Sequence, residues 1–247
     1  MIEHIELRIR EEVAAELLPD SLGRKLSSGV RVVRFVGSDP LLDVVRRESE
    51  RLRRQGAPWA FYGWHVSRRY TEDEYASATI LQVEVERAFE PSGEECGTEY
   101  DEGGACGRCG AGARQATPLR LRPTSIPRNV GFARTIGGEV VVARHVVDLL
   151  ATAGVSGVRT ASVLRHGAGD SEVDDWRQLI TEGGTVRACS PTLTGDAIFE
   201  EADIAVRRCA CGQHLGHAVI SELFVARDSL SSSEMQMTHE AAGIRSG

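Results

Sequence analysis

The chain of 247 residues is 41% hydrophobic and 26% charged, with a formal net charge of −7. That suits a folded protein of one large or two small domains. The acidic balance argues against nonspecific nucleic-acid binding, which needs a basic footprint. The start, Met1 to Glu6, lacks the basic head and apolar run of a signal peptide, and no stretch reaches the roughly 20 apolar residues of a membrane span. A cytoplasmic protein with no membrane partner is expected, and in that compartment clustered cysteines read as metal ligands before disulfides.

Ile2, Ile5, Leu7 and Ile9 predict a strand, and Glu11 to Leu18 a short helix stopped by Pro19-Asp20. Val30 to Val36 alternates and predicts a second strand. Ser38-Asp39-Pro40 supplies a cap and a first-turn proline for a helix from Leu41 to Gln55. Its arginines (Arg46, Arg47, Arg51, Arg53, Arg54) face Glu48 and Glu50, which reads as a solvated salt-laced face rather than an RNA patch. Trp59, Phe61, Tyr62 and Trp64 are expected to pack one small core. Thr71 to Glu74 is a capping signal.

Ile80 to Phe89 (ILQVEVERAF) has the clearest alternation in the chain and predicts a strand running into a cysteine-rich loop. Leu119 to Leu121 is the expected returning strand. Val140 to Ala143 leads into an amphipathic helix near His145 to Ala153, closed by Gly154. Strands are expected at Val155 to Leu164, Trp176 to Ile180, Thr185 to Cys189, Ile204 to Cys209 and Ala218 to Val225, then a capped helix from Ser229. Together these predict an α+β fold with mixed sheets, short helices and a zinc-ribbon-like cysteine loop. A small N-terminal α/β part covers residues 1–70, and a zinc-stabilised body covers 71–247.

Three of the six cysteines, Cys96, Cys106 and Cys109, fall within fourteen residues. Cys106 and Cys109 have C-x-x-C spacing followed by Gly110. Such a turn aims two thiolates at one ion while its N–H groups face their sulfurs. A second cluster, Cys209-Ala-Cys211-Gly-Gln-His214, lies about a hundred residues later. Zinc takes four tetrahedral ligands in a structural site, so the simplest closure is Cys96, Cys106 and Cys109 with one of Cys209, Cys211 or His214. The alternative is Cys106 and Cys109 with Cys209 and Cys211, leaving Cys96 free. Cys189 has no spaced partner and reads as a buried thiol. A catalytic zinc would need an open position and a base such as Glu94, Glu95, Asp101 or Glu102. Several thiolates make a poor Lewis acid, so no catalytic residue is assigned.

The Cys106-Gly-Arg-Cys109-Gly110 knuckle, Cys96-Gly97 before it and the Cys209 to His217 cluster ahead of a Ser-Glu-Leu strand resemble bacterial double-CxxCG proteins of the myxobacterial type. The closing Thr238-His239-Glu240-Ala-Ala-Gly243-Ile244-Arg245-Ser-Gly247 is similar to the end of their repeat-like unit. The resemblance covers residues 70 to 247. It implies a zinc-binding scaffold and, for some members, an immunity protein that neutralises a toxin. The second cluster here is C-x-C-x-x-H rather than C-x-x-C-G, which favours one shared site. The expected function is therefore a zinc-binding cytosolic protein acting on a toxin-like protein partner through a structural Zn²⁺. A zinc-dependent hydrolase or thiol redox enzyme using the same cysteines is the alternative.

Overall fold

In the computed structural model, which describes residues 1–58, 60–195, 198–199, 202–204, 209–211 and 218–238, the chain forms two units. One holds residues 1–81 and 195–201, the other 82–194 and 202–247. The architecture is α+β with mixed sheets and short helices. Among the described residues, no helix is long and apolar enough to cross a membrane.

The first unit is organised on β1 (Ile2–Arg10), whose period-two pattern buries Ile5, Leu7 and Ile9 on one face. Helix α1 (Glu11–Leu17) follows, then β2 (Arg24–Leu26) and β3 (Val30–Val36). Antiparallel register sets Ile5 opposite Phe35, Leu7 opposite Val33 and Ile9 opposite Arg31, so all six share the core face. Arg31 is fully buried there. Its guanidinium donates to both carboxylate oxygens of Glu11 at 2.9 and 2.6 Å and to the Pro19 carbonyl at 3.1 Å. Helix α2 (Pro40–Arg54) has Pro40 at its first turn, and Asp39 caps it by accepting from the Leu41 N–H at 2.9 Å. Leu42, Val45, Ser49 and Leu52 are its buried stripe. Strand β4 (Phe61–Arg69) completes a sheet of order β2-β3-β1-β4. Helix α3 (Glu72–Ser77) opens with a complete Thr71/Glu74 capping box.

The aromatic cluster packs only in part: a register shift between Arg8 and Ile9 sets Phe61 opposite Ile9 and Trp64 opposite Leu7 on the core face, and Tyr62 is left outside. Phe61 is buried, Tyr62 is exposed, and Trp64 is half-buried. Trp59 lies outside the described residues. Phe61 meets Phe199 edge to face, and the Arg46 guanidinium covers that same ring at 5.3 Å.

The second unit carries β5 (Ala88–Phe89), β6 (Tyr100–Asp101), β7 (Arg114–Gln115), β8 (Arg120–Leu121), β9 (Phe132–Thr135), β10 (Val140–Ala143) and helix α4 (Arg144–Thr152). Then come β11 (Val158–Arg165), β12 (Glu172–Thr181), β13 (Thr185–Val186), β14 (Leu193–Gly195), β15 (Ala202–Asp203), β16 (Ala218–Val219) and β17 (Met237–Thr238). Six strands form one sheet of order β5-β9-β10-β12-β11-β8. Its core joins Phe89, Leu119, Leu121, Ile126, Ala133, Val141, Val163 and Val173. Three smaller sheets, β6-β7, β15-β14-β16 and β13-β17, surround it in sequence.

Of the strand expected at Ala218 to Val225 only Ala218–Val219 forms. Residues 205–208 of the one expected at Ile204 to Cys209 lie outside the described residues. Two further expectations fail. Ile80 to Phe89 is not one strand: only Ala88–Phe89 pairs, parallel to β9, and Ile80, Leu81 and Val83 are 55%, 61% and 62% exposed. Alternation supplies two faces, but a strand also needs a neighbour for its backbone, and residues 80–86 gain no ladder. The helix expected from Ser229 is replaced by a 3₁₀ turn at Arg227–Ser229 and by β17, whose parallel pairing with β13 outweighs the weak local helical signal. Residues 239–247 lie outside the described residues.

Candidate metal centre

The cysteine loop is the tip of the β6-β7 hairpin, which pairs Tyr100 with Gln115 and Asp101 with Arg114. Of the strands expected to frame it, Ile80 to Phe89 and Leu119 to Leu121, only Ala88–Phe89 and Arg120–Leu121 form, and both belong instead to the six-stranded sheet. At the tip the Cys106 N–H donates to the Ala111 carbonyl at 2.7 Å and the Gly110 N–H to the Cys106 carbonyl at 2.8 Å. Gly110 and Gly112 take φ of 69° and 98°, the left-handed region that favours glycine. A Cβ on Gly112 would also lie 2.7 Å from the Gly104 carbonyl oxygen.

Polar tethers fix the hairpin's base. Tyr100 Oη donates to Glu139, whose other carboxylate oxygen accepts from Thr135. Gln115 and Gln178 exchange amide hydrogen bonds at 3.2 and 2.6 Å, and Gln178 belongs to β12. Thr98 Oγ1 accepts from the Arg120 N–H at 2.9 Å. Apart from Thr135 and Glu139, four residues apart, these partners are 22 to 63 residues apart in sequence, so no local pattern announced them.

The second arm hangs from β14. Leu193 pairs with Asp203 on one side and accepts from the Ile220 N–H at 2.8 Å on the other. Cys209 and Cys211, which fall between these attachments in sequence, lie at the hairpin tip.

The sulfurs of Cys106, Cys109, Cys209 and Cys211 all lie within 4.8 Å of one another. Cys106 Sγ is 3.7 Å from Cys209 Sγ, and Cys109 Sγ is 3.5 Å from Cys211 Sγ. Those separations are too long for disulfides, whose sulfurs sit about 2.05 Å apart. A tetrahedron with sulfurs about 2.3 Å from a central ion has edges of about 3.8 Å. The four cysteines are therefore close enough to hold a metal ion.

Local electrostatics support the same reading. The N–H groups of Arg108 and Cys109, and then the Cys211 and Cys109 thiols, hold the Cys106 thiol down to about 6. The Ala111 N–H acts downward on Cys109, yet desolvation and the thiols of Cys211, Cys106 and Cys209 push it up to about 12. One thiolate is readily accommodated; four together require a cation.

Cys96 does not join them. It closes a 3₁₀ turn, Glu94–Cys96, and is 1% exposed. Burial pushes its thiol pKa up, against a backbone hydrogen bond from Arg122. Its carbonyl meets His166 Nδ1 at 2.9 Å. The expected closure through Cys96 thus gives way to the alternative set. Cys189 is a half-buried free thiol outside the cluster. His214 lies outside the described residues. Among the described residues, no carboxylate joins the four sulfurs. Glu95 instead accepts from the Ser92 N–H and hydroxyl at 2.7 and 2.9 Å, and the Asp101 carboxylate from the Gly103 N–H at 2.9 Å.

Fold and site together define an α+β protein with a four-cysteine centre assembled from two distant segments. No protein-family model matches the sequence, and no curated protein or solved structure matches it.

Proposed function

We propose that the chain is a zinc-stapled binding protein in which Zn²⁺ is structural and the work is done by protein–protein contact. The observation that carries this is the convergence of Cys106, Cys109, Cys209 and Cys211 on one point. Four thiolates in tetrahedral array suit Zn²⁺ or iron–sulfur chemistry, and four protein ligands leave no position for a substrate water. Metal binding would then supply folding free energy to a glycine-rich hairpin that has little apolar surface of its own.

The partner class follows from charge and from the CxxCG-type motifs. A net charge of −7 suits a basic protein, since complementary fields speed association. The motifs' resemblance to toxin-neutralising proteins makes immunity, by occluding a toxin in the cytoplasm, the working role. Metal analysis tests the first part: one zinc per chain is expected, and Cys106→Ser with Cys109→Ser abolishes it. A stoichiometric protein lacking metal, or holding iron, would overturn the zinc reading. Co-expression with the product of the neighbouring reading frame tests the second. Growth rescue with a one-to-one complex is expected; toxicity unchanged by the chain refutes immunity.

A further inference from the structure

We propose that the open face of the first unit's four-stranded sheet binds single-stranded RNA. Residues opposite one another in an antiparallel pair share a face. Ile5, Leu7, Ile9, Val33 and Phe35 are buried on the core side, so the even-numbered positions of β1 and β3 turn away from it. Register then brings Arg8 and Arg10 of β1, Arg34 of β3, Arg24 of β2 and Arg69 of β4 to the open face, against one acid, Glu6. Glu6 is taken by Arg34 at 3.1 Å, and Arg10 pairs with Glu12 at 2.7 Å. Arg8, Arg24 and Arg69 are exposed and meet no carboxylate among the described residues. Past the Arg69 end, α3 carries Glu72, Asp73 and Glu74, of which Glu74 holds the N-terminal ammonium. The unit's second segment adds Asp196, Glu200 and Glu201, which lie outside the described residues; its Phe199 packs against Phe61 and Arg46 on the core side. Residues 1–81 hold thirteen basic and thirteen acidic residues, so the net −7 comes from 82–247.

Shape selects among polyanions. Arg24, Val32, Arg8 and Gly63 form one row across the four strands, and Arg34, Glu6 and His65 form the next. Neighbouring strands lie about 4.8 Å apart, which sets Arg24 and Arg8 roughly 10 Å from each other along the row. Over the β1–β4 pair a groove of about 240 Å³ opens along Glu6, Arg8, Gly63, Trp64 and His65. Gly63 keeps it open: a Cβ there would meet only the Arg8 side chain, at 3.9 Å. The exposed His65 at its side and Tyr62 next to it, 70% exposed, are flat rings on which an unstacked base can lie. An acidic peptide needs neither the rings nor the space. The unpaired cations are all arginines, whose planar forks grip phosphate and stack on bases. Glu6 adds an acceptor for a ribose 2′-hydroxyl, the group that separates RNA from DNA. A duplex splays no base into such a groove, which leaves the single strand.

The test uses the full chain and a fluorescein-labelled oligouridine of twelve nucleotides, beside its deoxy counterpart and a polyglutamate of equal length. Binding is followed by fluorescence anisotropy. The RNA should bind at least ~3-fold more tightly than the deoxy strand and at least ~10-fold more tightly than polyglutamate. Three arginines on phosphate predict a slope of log affinity against log salt of about −2. Arg8→Gln with Arg24→Gln should weaken binding about 10-fold and bring that slope to about −0.7. Gly63→Val fills the groove with a side chain that suits a strand. It should weaken binding about 10-fold with the slope and the melt unchanged. Arg47→Gln with Arg54→Gln, on α2, should leave binding as it was. No binding at about 50 mM salt, equal binding of the deoxy strand or of polyglutamate, full affinity in Gly63→Val, or loss of binding through the α2 pair alone would each overturn the proposal. Zinc content and growth rescue are separate readouts and do not bear on it.

Discussion

The two units close by different means. In the first, one face of three strands and one stripe of α2 are apolar, and burial of Ile5, Leu7, Ile9, Val33, Phe35, Leu42 and Val45 suffices to make a core. In the second, the six-stranded sheet has a core of the same kind, but the cysteine hairpin and the C-terminal strands are two or three residues long. Such strands cannot hold themselves. They depend on long-range tethers, of which the four-cysteine cluster spans about a hundred residues. A core made from local periodicity is robust to losing one polar contact; a region made from tethers is not.

Metal removal should separate the two most strongly. Structural zinc in small domains contributes about 10–16 kcal/mol of apparent binding free energy near neutral pH. Cys106→Ser with Cys109→Ser, or a strong chelator, should therefore release residues 100–115 and 218–238 into fast amide exchange. Exchange in β1 and β3 should stay as it was. Simultaneous loss of protection in both units would dissolve the distinction. The mirror experiment is Phe35→Ala. Truncating this buried ring should cost the first unit about 3–5 kcal/mol while zinc content stays at wild type.

How far each unit was legible follows the same division. The alternation of Ile5, Leu7 and Ile9, the Asp39-Pro40 start of α2 and the Thr71/Glu74 box were readable because each signal lies within one element. The knuckle at Cys106 and Cys109 was readable for the same reason. Its completion by Cys209 and Cys211, not Cys96, was open because ligand choice depends on which segments β14 carries past the hairpin. Ile80 to Val85 misled because periodicity reports what a segment can bury, not whether a partner strand exists. Glu139, Gln115 and Gln178 gave no signal, since a tether is a property of two distant residues.

Acid sharpens the comparison. Protons compete with metal for thiolates, so falling pH should unload the cysteine centre first. The first unit has its own acid-sensitive group. Hydrogen bonds from Arg31, and then from Lys25, hold the Glu11 carboxyl near 2 against an ordinary 4.5, despite desolvation. A depressed carboxyl contributes stability that is complete above about pH 4.5 and is lost as pH falls toward 2. Chemical denaturation across pH 7 to 2 should thus show the second unit weakening before the first, with Glu11→Gln reducing the first unit's dependence below pH 4.5. The part due to Glu48 and Glu74 should remain, since their carboxyls are also held down, by Arg51 and by the N-terminal ammonium. A first unit that weakens at the same pH as zinc release would count against separate closure.

Single tethers come next. Tyr100→Phe removes one hydrogen bond to the Glu139 carboxylate and should destabilise the second unit by about 2 kcal/mol, with a measurable rise in zinc off-rate. The smallest effects come from caps, which both units use. Asp39 accepts from the Leu41 N–H in front of a helix of fifteen residues, whereas Ser92 and Glu95 exchange hydrogen bonds around a 3₁₀ turn of three. Asp39→Ala should cost about 1 kcal/mol, because α2 keeps its buried stripe when one N–H loses its partner. Ser92→Ala removes a similar bond, but the turn it secures also positions Thr98, which meets the Arg120 backbone beside the hairpin. If closure by tethers is the right description of the second unit, Ser92→Ala should cost more than Asp39→Ala and should accelerate exchange as far as residue 115. Equal costs, with exchange changed only at 92–96, would mean that the second unit is as locally held as the first.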